Sequence, residues 1–410
     1  MKLHLSAPKS PRLLGNIQIT GSKSETNRLL LLQALFPNLS LRNTSNSDDA
    51  EVMKKGLAQL VGHVDIHHAG TAMRFLTSYF ATKVGADVVL TGSERMQERP
   101  IKILVEALLQ LGATITYEKQ PGYPPLKIKG NVLQGDKVSL PANISSQYIS
   151  SLCLIAPTLT NGLTINLIGK ITSVPYIKMT LALLTEIGVK TSFEGNQIQI
   201  FPKGHIAEKT LVVESDWSAA SYFYSCTALA EIGSEIILSS YKELSLQGDR
   251  VLADLYNALG VSTGFSNDHI TLTKIAPAQV DVFEADLSDA PDIAQTIAVT
   301  CLGLGIGCHL KGLHTLPIKE TDRLQAMKTE LEKFGASVTI DSESLSLSPI
   351  SDLRPAVSVD TYNDHRMAMA FAPLAIKTPF VVNEAEVVSK SYPDFWKDME
   401  KLGFGIKNLS

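Results

Sequence analysis

The stretch Gly21-Ser-Lys-Ser-Glu-Thr-Asn-Arg28 lies between an alternating segment, residues 16–20, and an apolar run, residues 29–36. Alternation is typical of a strand and an apolar run of this length of a helix, so the stretch predicts a strand-to-helix junction. A helix start leaves backbone N–H groups unpaired, and Lys23, Arg28 and two serine hydroxyls would join them. Taken alone, the stretch also fits a capped helix with surface cations.

Five later segments repeat this design, in which small, polar or charged residues open an apolar stretch of helical length. The six openings fall near Ser22, Gly70, Ser145, Asp216, Asp292 and Asp364. Their intervals are 48, 75, 71, 76 and 72 residues. The spacing indicates six copies of one unit of roughly 70 residues, with the first copy about 25 residues short.

Between the openings, second helices alternate with short strand-like runs, as in residues 101–111, 113–117 and 126–129. This order predicts an α/β fold, and a helix as apolar as residues 293–304 should be buried inside layers of sheet. Six units divide into two groups of three. We therefore predict an inserted domain at 22–213, with a shortened first repeat, and a discontinuous domain at 1–21 plus 214–410. Hinge crossings are expected near Gly21 and Glu214.

The composition is that of an ordinary globular protein of 410 residues with a formal net charge of −4. This charge argues against a general attraction to nucleic acid or to anionic membranes. No apolar run reaches the roughly 18 residues of a membrane-spanning helix, so we expect a cytoplasmic protein. The cysteines form no C-x-x-C pair and are expected to be reduced thiols in the core; they are Cys153, Cys226, Cys301 and Cys308.

Any cationic site must therefore be local, and candidate cations occur in both halves of the chain: Lys23, Arg28, Arg74, Arg99, Lys319, Arg323, Arg366 and Lys390. Phosphates and carboxylates are the ligands that such a set favours, and a cleft between two domains is a common place for them. Asp292 and Glu320 are the carboxylates available there for proton transfer. Lys319 and Arg323 are predicted to share one helix face.

Two other signals are weak. The pattern of an ATP-binding P-loop needs glycine where Ser22 and Ile17 stand. The histidines His63, His67 and His68 have no carboxylate partner at metalloprotease spacing. We expect neither a metal nor a cofactor.

Eight motifs occur together in one order: GSKSETNR, AGTAMR, ERPI, SSQY, VPY, PDIAQTIA, KETDR and YNDHRMAMA. In this the chain resembles the 3-phosphoshikimate 1-carboxyvinyltransferases, or EPSP synthases, from about residue 15 to residue 395. The resemblance implies a two-domain inside-out α/β barrel of six βαβαββ-type repeats. It also implies transfer of the enolpyruvyl group of phosphoenolpyruvate to the 5-hydroxyl of 3-phosphoshikimate, in the shikimate pathway that leads to chorismate and the aromatic amino acids.

The resemblance further implies roles for individual residues. Those matched to 3-phosphoshikimate binding are Lys23, Ser24, Arg28, Ser145, Ser146, Gln147, Ser173, Tyr176, Asp292, Thr315 and Lys319. Those matched to phosphoenolpyruvate binding are Lys23, Gly70, Arg74, Arg99, Gln147, Arg323, Arg366 and Lys390. Asp292 would take the hydroxyl proton, and Glu320, assisted by Lys390, would exchange the methyl proton; Lys23 also belongs to the catalytic set. The partners would be these two small molecules, and we expect a monomer.

Three positions depart from the family pattern. His68 and Thr315 stand where asparagine is common, and Phe75 stands where proline is common. Because Phe75 follows Arg74, it is expected to reshape the phosphoenolpyruvate end of the site, which the inhibitor glyphosate occupies in this family.

Two alternatives stay open. One is the sister transferase that acts on UDP-N-acetylglucosamine, but that family has a reactive cysteine in a loop, and residues 96–99 contain none. The other is a non-catalytic anion-binding relative, which the presence of Asp292, Glu320 and all eight cations disfavours.

Overall fold

The protein forms two compact units. The computed structural model describes residues 1–143 and 145–409. Unit 1 contains residues 1–20 together with the chain from Glu214 onward, and unit 2 contains Gly21–Val213. The chain begins in unit 1 with two strands, β1 (Leu3–Ser6) and β2 (Leu14–Ile17), before it enters unit 2.

Unit 2 alternates helices with short strands. Its helices are α1 (Lys23–Leu35), α2 (Asp48–Ala58), α3 (Gly70–Thr82), α4 (Glu94–Gln97), α5 (Lys102–Gln110), α6 (Ser146–Ile155) and α7 (Val174–Glu186). Its strands are β3 (Leu39–Arg42), β4 (Val61–Asp65), β5 (Asp87–Thr91), β6 (Thr114–Tyr117), β7 (Leu126–Lys129), β8 (Lys137–Pro141), β9 (Leu163–Ile168), β10 (Thr191–Glu194), β11 (Gln197–Ile200) and β12 (Lys209–Val212).

Two sheets of unit 2 share one plan, a parallel pair extended by an antiparallel hairpin. One sheet has the order β4-β5-β7-β6, and only its β4–β5 pair is parallel. A second has the order β10-β11-β9-β8 with β8 parallel to β9. The third, within the described residues, consists of the parallel pair β3–β12 alone. This smallest sheet contains the first strand of the shortened repeat.

Unit 1 follows the same plan. Its helices are α8 (Trp217–Leu229), α9 (Leu252–Leu255), α10 (Ala294–Leu304), α11 (Arg323–Lys333), α12 (His365–Phe371) and α13 (Phe395–Lys401). Its further strands are β13 (Glu235–Ser239), β14 (Val261–Phe265), β15 (His269–Lys274), β16 (Val282–Asp286), β17 (Gly307–Lys311), β18 (Val338–Ile340), β19 (Leu345–Leu347), β20 (Ser358–Val359), β21 (Phe380–Val382) and β22 (Gly405–Asn408).

The sheets of unit 1 have the orders β14-β15-β13-β2, β16-β17-β19-β18 and β20-β21-β1-β22. Strands β1 and β2 are thus supplied by the start of the chain, and β2 lies parallel to β13. No helix in residues 1–143 and 145–409 is long and apolar enough to cross a membrane.

The first helix of each repeat is buried, as its apolar sequence predicts. Helix α3 contacts α1 and α6, and α10 contacts α8 and α12. Nearly every residue of α3, α8 and α10 is inaccessible to solvent. In such an arrangement, helices with apolar residues on all sides remove most of their hydrophobic surface from water. The predicted α/β fold of repeated units is confirmed.

Two local predictions have different outcomes. All four cysteines are buried and unpaired, as expected, and burial raises the pKa of Cys153 to about 12. The shared helix face of Lys319 and Arg323 is wrong. Lys319 lies just after a 3-10 turn, Leu316–Ile318, and α11 begins only at Arg323, where the Asp322 side chain caps it by accepting from Gln325 N at 3.1 Å.

A close backbone approach at Gly130, directly after β7, gives a stability prediction. A Cβ there would lie 2.6 Å from the carbonyl oxygen of Phe80 and would also meet that of Lys83. Because these oxygens belong to the backbone, we expect Gly130→Ala to lower the free energy of unfolding by roughly 3 kcal/mol. Gly204→Ala, where a Cβ would meet nothing within 4 Å among the described residues, is the matched control. Urea titrations that give equal midpoints for the two variants would contradict this packing.

Candidate active site

Most residues singled out in the sequence lie at or near the starts of helices, whereas Arg99 lies between α4 and α5 and Lys390 ends a 3-10 turn. They fall into two sets, one in each unit. The set in unit 2 contains Lys23, Ser24, Arg28, Gly70, Arg74, Arg99, Ser145, Ser146, Gln147, Ser173 and Tyr176. The set in unit 1 contains Asp292, Thr315, Lys319, Glu320, Arg323, Arg366 and Lys390.

The start of α3 brings two guanidinium groups together. A Cβ on Gly70 would lie 2.7 Å from Nη1 of Arg99 and 3.3 Å from Nη1 of Arg74. Arg74 donates to the carbonyl oxygen of Gly70 at 3.0 Å, and its buried Nε has no partner in the described residues. Glycine is therefore the residue that leaves room for both cations at a helix start, where backbone N–H groups already favour an anion.

Arg28 joins three helices of unit 2. Its Nε donates to Oγ1 of Thr180 in α7 at 2.7 Å, and its Nη2 donates to Oγ of Ser150 in α6 at 3.2 Å. Its Nη1 donates to the carbonyl oxygen of Ser24 at 2.7 Å. The guanidinium lies 5.4 Å from the ring centre of the fully buried Phe75, the residue that departs from the family pattern. The phenyl ring thus packs against Arg28, one residue beyond Arg74.

The starts of α6 and α7 complete this set. Ser145 caps α6 by accepting from Gln147 N at 3.3 Å, and Gln147 Nε2 donates to Oγ1 of Thr71 in α3 at 3.2 Å. Ser146 is buried in the first turn of α6. Ser173 precedes α7 with a left-handed φ of 53°, and the Tyr176 ring lies 5.9 Å from the Arg28 guanidinium.

The cations of unit 2 are poorly compensated. Lys23 pairs with Asp49 at 3.1 Å, but in the described part of the chain Arg28, Arg74 and Arg99 form no ion pair. Burial lowers the pKa of Arg28 to about 10, and burial followed by the charge of Arg99 lowers the pKa of Arg74 to about 10. Both remain protonated near neutral pH, so this end of unit 2 is electrostatically prepared for an anion.

Unit 1 holds the opposite arrangement, in which carboxylates surround a buried cation. Arg323 donates from Nε to Oδ2 of Asp364 at 2.6 Å, from Nη1 to Oδ1 of Asp292 at 2.9 Å and from Nη2 to Oε2 of Glu320 at 2.8 Å. Burial would lower the pKa of Arg323, but Asp364, Glu320 and Asp292 outweigh it, and the pKa is raised. Arg323 therefore fixes the positions of three carboxylates.

Asp292 is shared among three cations. Besides Arg323, Arg366 Nη2 donates to its Oδ2 at 3.0 Å, and Lys319 Nζ lies 3.6 Å from its Oδ1. Both oxygens of Asp292 thus face positive charge, and its side chain is only 14% exposed.

Lys390 and Thr315 lie at other points of unit 1. Lys390 Nζ donates to the carbonyl oxygen of Asn363 at 2.6 Å, just before α12. Thr315 precedes the turn Leu316–Ile318, and its Oγ1 is buried without a hydrogen-bond partner in the described residues. The structure thus supports Thr315 as a polar group with unused hydrogen-bonding capacity.

The structure adds residues that sequence reasoning did not assign to the site. Asp364, recognised only as part of a helix opening, binds Arg323. Ser218 accepts from Arg366 Nη2 at 3.4 Å and donates to the buried carboxyl of Asp249. Nothing in the sequence near Asp249 marks it, because its approach to Ser218 depends on the tertiary fold.

Comparison with known proteins identifies the family of the chain. A family model described as EPSP synthase (3-phosphoshikimate 1-carboxyvinyltransferase) matches residues 61–399. A protein of Bacteroides fragilis named 3-phosphoshikimate 1-carboxyvinyltransferase is 44% identical, with 99% of each chain covered. One of the same name from Shewanella pealeana is 36% identical, covering 95% of this chain and 97% of the relative.

A solved structure of EPSP synthase from Acinetobacter baumannii has the same fold, with a TM-score of 0.79, 18% identity and complete coverage of both chains. The chain thus has an α/β fold built from repeated units, and the named relatives of 36% and 44% identity are transferases. The chain belongs to the EPSP synthase (3-phosphoshikimate 1-carboxyvinyltransferase) family.

Asp249 gives a pH prediction. Burial, and next the charge of Asp292, raise the pKa of Asp249 from 3.8 to about 7 in the folded protein. The folded state then holds a proton that the unfolded state releases near pH 4, so this group makes the protein less stable as the pH rises from about 4 to about 7. The amide introduced by Asp249→Asn cannot ionise. We expect wild type to lose stability relative to this variant over that range.

The measurement is urea unfolding of both proteins at several pH values between 5 and 8. Asp352→Asn, which changes an exposed carboxylate of unit 1, is the matched control and should run parallel to wild type. Parallel curves for wild type and Asp249→Asn would show that the buried carboxyl does not titrate in this range.

Proposed function

We propose that the protein transfers the enolpyruvyl group of phosphoenolpyruvate to the 5-hydroxyl of 3-phosphoshikimate. The products would be 5-enolpyruvylshikimate 3-phosphate and inorganic phosphate. Membership of the EPSP synthase family supports this reaction. The observation that carries the proposal is that one chain has both groups suited to bind anions and groups suited to transfer protons. Among the described residues, unit 2 has arginines that form no ion pair, and unit 1 has carboxylates that Arg323 holds in position.

The anion-binding roles follow from the charges. Two phosphates and two carboxylates must be accommodated, and their mutual repulsion must be offset before the hydroxyl can approach the enol carbon. We assign 3-phosphoshikimate to Lys23, Ser24, Arg28, Ser145, Ser146, Gln147, Ser173, Tyr176, Asp292, Thr315 and Lys319. We assign phosphoenolpyruvate to Lys23, Gly70, Arg74, Arg99, Gln147, Arg323, Arg366 and Lys390. The closeness of Gly70 to the guanidinium groups of Arg74 and Arg99 supports this assignment.

The proton transfers are assigned to carboxylates. The substrate oxygen forms a bond to C2 of phosphoenolpyruvate while Asp292 takes its proton, and the methylene C3 receives a proton from Glu320 with Lys390 assisting. The product of this addition is a tetrahedral ketal. The bond from C2 to the phosphate oxygen then breaks and C3 returns a proton to Glu320. The phosphate leaves with the proton that Asp292 took from the hydroxyl, which restores both carboxyl groups to their starting states. Cations around the departing phosphate stabilise the charge that develops.

The test is a phosphate-release assay with 3-phosphoshikimate and phosphoenolpyruvate. Release that requires both substrates, with the enolpyruvyl product identified by mass spectrometry, is the expected result. Turnover with UDP-N-acetylglucosamine in place of 3-phosphoshikimate would instead identify the sister transferase. Binding of both anions without turnover would indicate a non-catalytic relative.

Finer expectations from the sequence remain predictions. These are a monomer, no binding of nucleic acid, a cytoplasmic location, and hinge crossings near Gly21 and Glu214. Analytical ultracentrifugation tests the first, and cell fractionation tests the third.

A further inference from the structure

The turn before α12 has an unusual backbone. Asp364 N donates to the carbonyl oxygen of Thr361 at 2.8 Å, so residues 361–364 form a turn. Its two central residues, Tyr362 and Asn363, have φ values of 53° and 59°. Asparagine tolerates this left-handed region, whereas a bulky tyrosine rarely adopts it. Such a conformation persists only when surrounding contacts hold it, and it occurs often at functional sites.

A buried carboxylate holds this turn from α11. Glu330 is completely buried, and its Oε1 accepts from the Tyr362 hydroxyl at 2.6 Å. Its Oε2 accepts from Asp360 N at 3.1 Å and pairs with Lys333 at 2.7 Å. Glu330 therefore binds the backbone before the turn and the side chain within it.

The same turn supports three residues of the proposed site. The carbonyl oxygen of Asn363 accepts from Lys390 Nζ at 2.6 Å, and its Oδ1 lies 3.4 Å from the same nitrogen. Asp364 caps α12 by accepting from Arg366 N at 2.9 Å and also binds Arg323. A change in the turn would therefore move the acceptor of Lys390. It would also move the Asp364 carboxylate, which accepts from the Arg323 guanidinium and from the backbone N–H of Arg366.

We infer that Tyr362 and Glu330 are positioning residues: through the left-handed turn at residues 361–364, they hold Lys390 and Arg366 in place for phosphoenolpyruvate. This inference rests on the proposed function, because it concerns how that substrate is bound. We assign neither residue a contact with the reacting atoms. The Tyr362 hydroxyl acts through the backbone of Asn363 and Asp364, and Glu330 acts through the Tyr362 hydroxyl and Asp360 N.

The substitution Tyr362→Phe tests the inference, since it removes one hydroxyl and keeps the ring. We expect the KM for phosphoenolpyruvate to rise about tenfold, because loosely held cations bind the anion less well. The KM for 3-phosphoshikimate should stay within about twofold of wild type. The matched control is Tyr224→Phe, which removes a comparable hydroxyl bond to Thr263 Oγ1, 2.8 Å long, elsewhere in unit 1. Its kinetics should be unchanged.

Different outcomes separate the two claims. A merely structural role would lower the amount of active enzyme and hence kcat, without a selective change in the KM for phosphoenolpyruvate. That result, or wild-type kinetics in Tyr362→Phe, would overturn the inference. If wild type releases no phosphate, the proposed function fails, and crystal structures of wild type and Tyr362→Phe decide the positioning claim alone. A displaced Lys390 Nζ in the variant supports it, and an unchanged bond to Asn363 contradicts it.

Discussion

The ion pairs of the buried Arg323 guanidinium are the interaction on which the candidate site residues of unit 1 depend. A cation without solvent is costly unless opposite charges surround it, and here Asp292, Glu320 and Asp364 do so. The carboxylates depend on Arg323 in turn, because the same ion pairs hold each of them in one orientation and favour its charged form. Glu320 comes from the segment before α11, Asp292 from the turn before α10 and Asp364 from the cap of α12. One side chain thus aligns the starts of three helices.

Unit 2 uses the same helix starts with the opposite balance of charge. Arg28 and Arg74 are buried among hydroxyls, carbonyl groups and rings rather than carboxylates. Their hydrogen bonds hold the guanidinium planes in place but do not neutralise them. The proposed division of labour follows from this contrast: unit 2 chiefly binds anions, and unit 1 provides both cations and the carboxylates that move protons. The same repeated βα unit can therefore hold either uncompensated cations or a cluster of carboxylates. Only the residues in the first turns of its helices need to differ.

The sequence predicted the repeats well because each repeat carries its own signal. Six openings at near-constant spacing mark the starts of α1, α3, α6, α8, α10 and α12 within a residue or two. The prediction of a helix across residues 319–323 is wrong: charged residues four apart suit a helix, but the cap at Asp322 makes α11 begin only at Arg323. The roles proposed for residues inside the motifs come from the resemblance and remain predictions. Asp249, Glu330 and Tyr362 were not assigned roles, because burial and a left-handed turn depend on contacts between distant segments.

The division of labour is tested most directly by Glu320→Gln, with both turnover and the affinity for 3-phosphoshikimate measured. The amide keeps the size of the side chain but cannot exchange a proton as a carboxylate does. We expect kcat to fall about 100-fold or more, while the Kd of 3-phosphoshikimate changes by less than about threefold. Glu332→Gln, an exposed position in α11, is the matched control and should behave as wild type. Undiminished turnover in Glu320→Gln, or a parallel loss of affinity, would contradict the account.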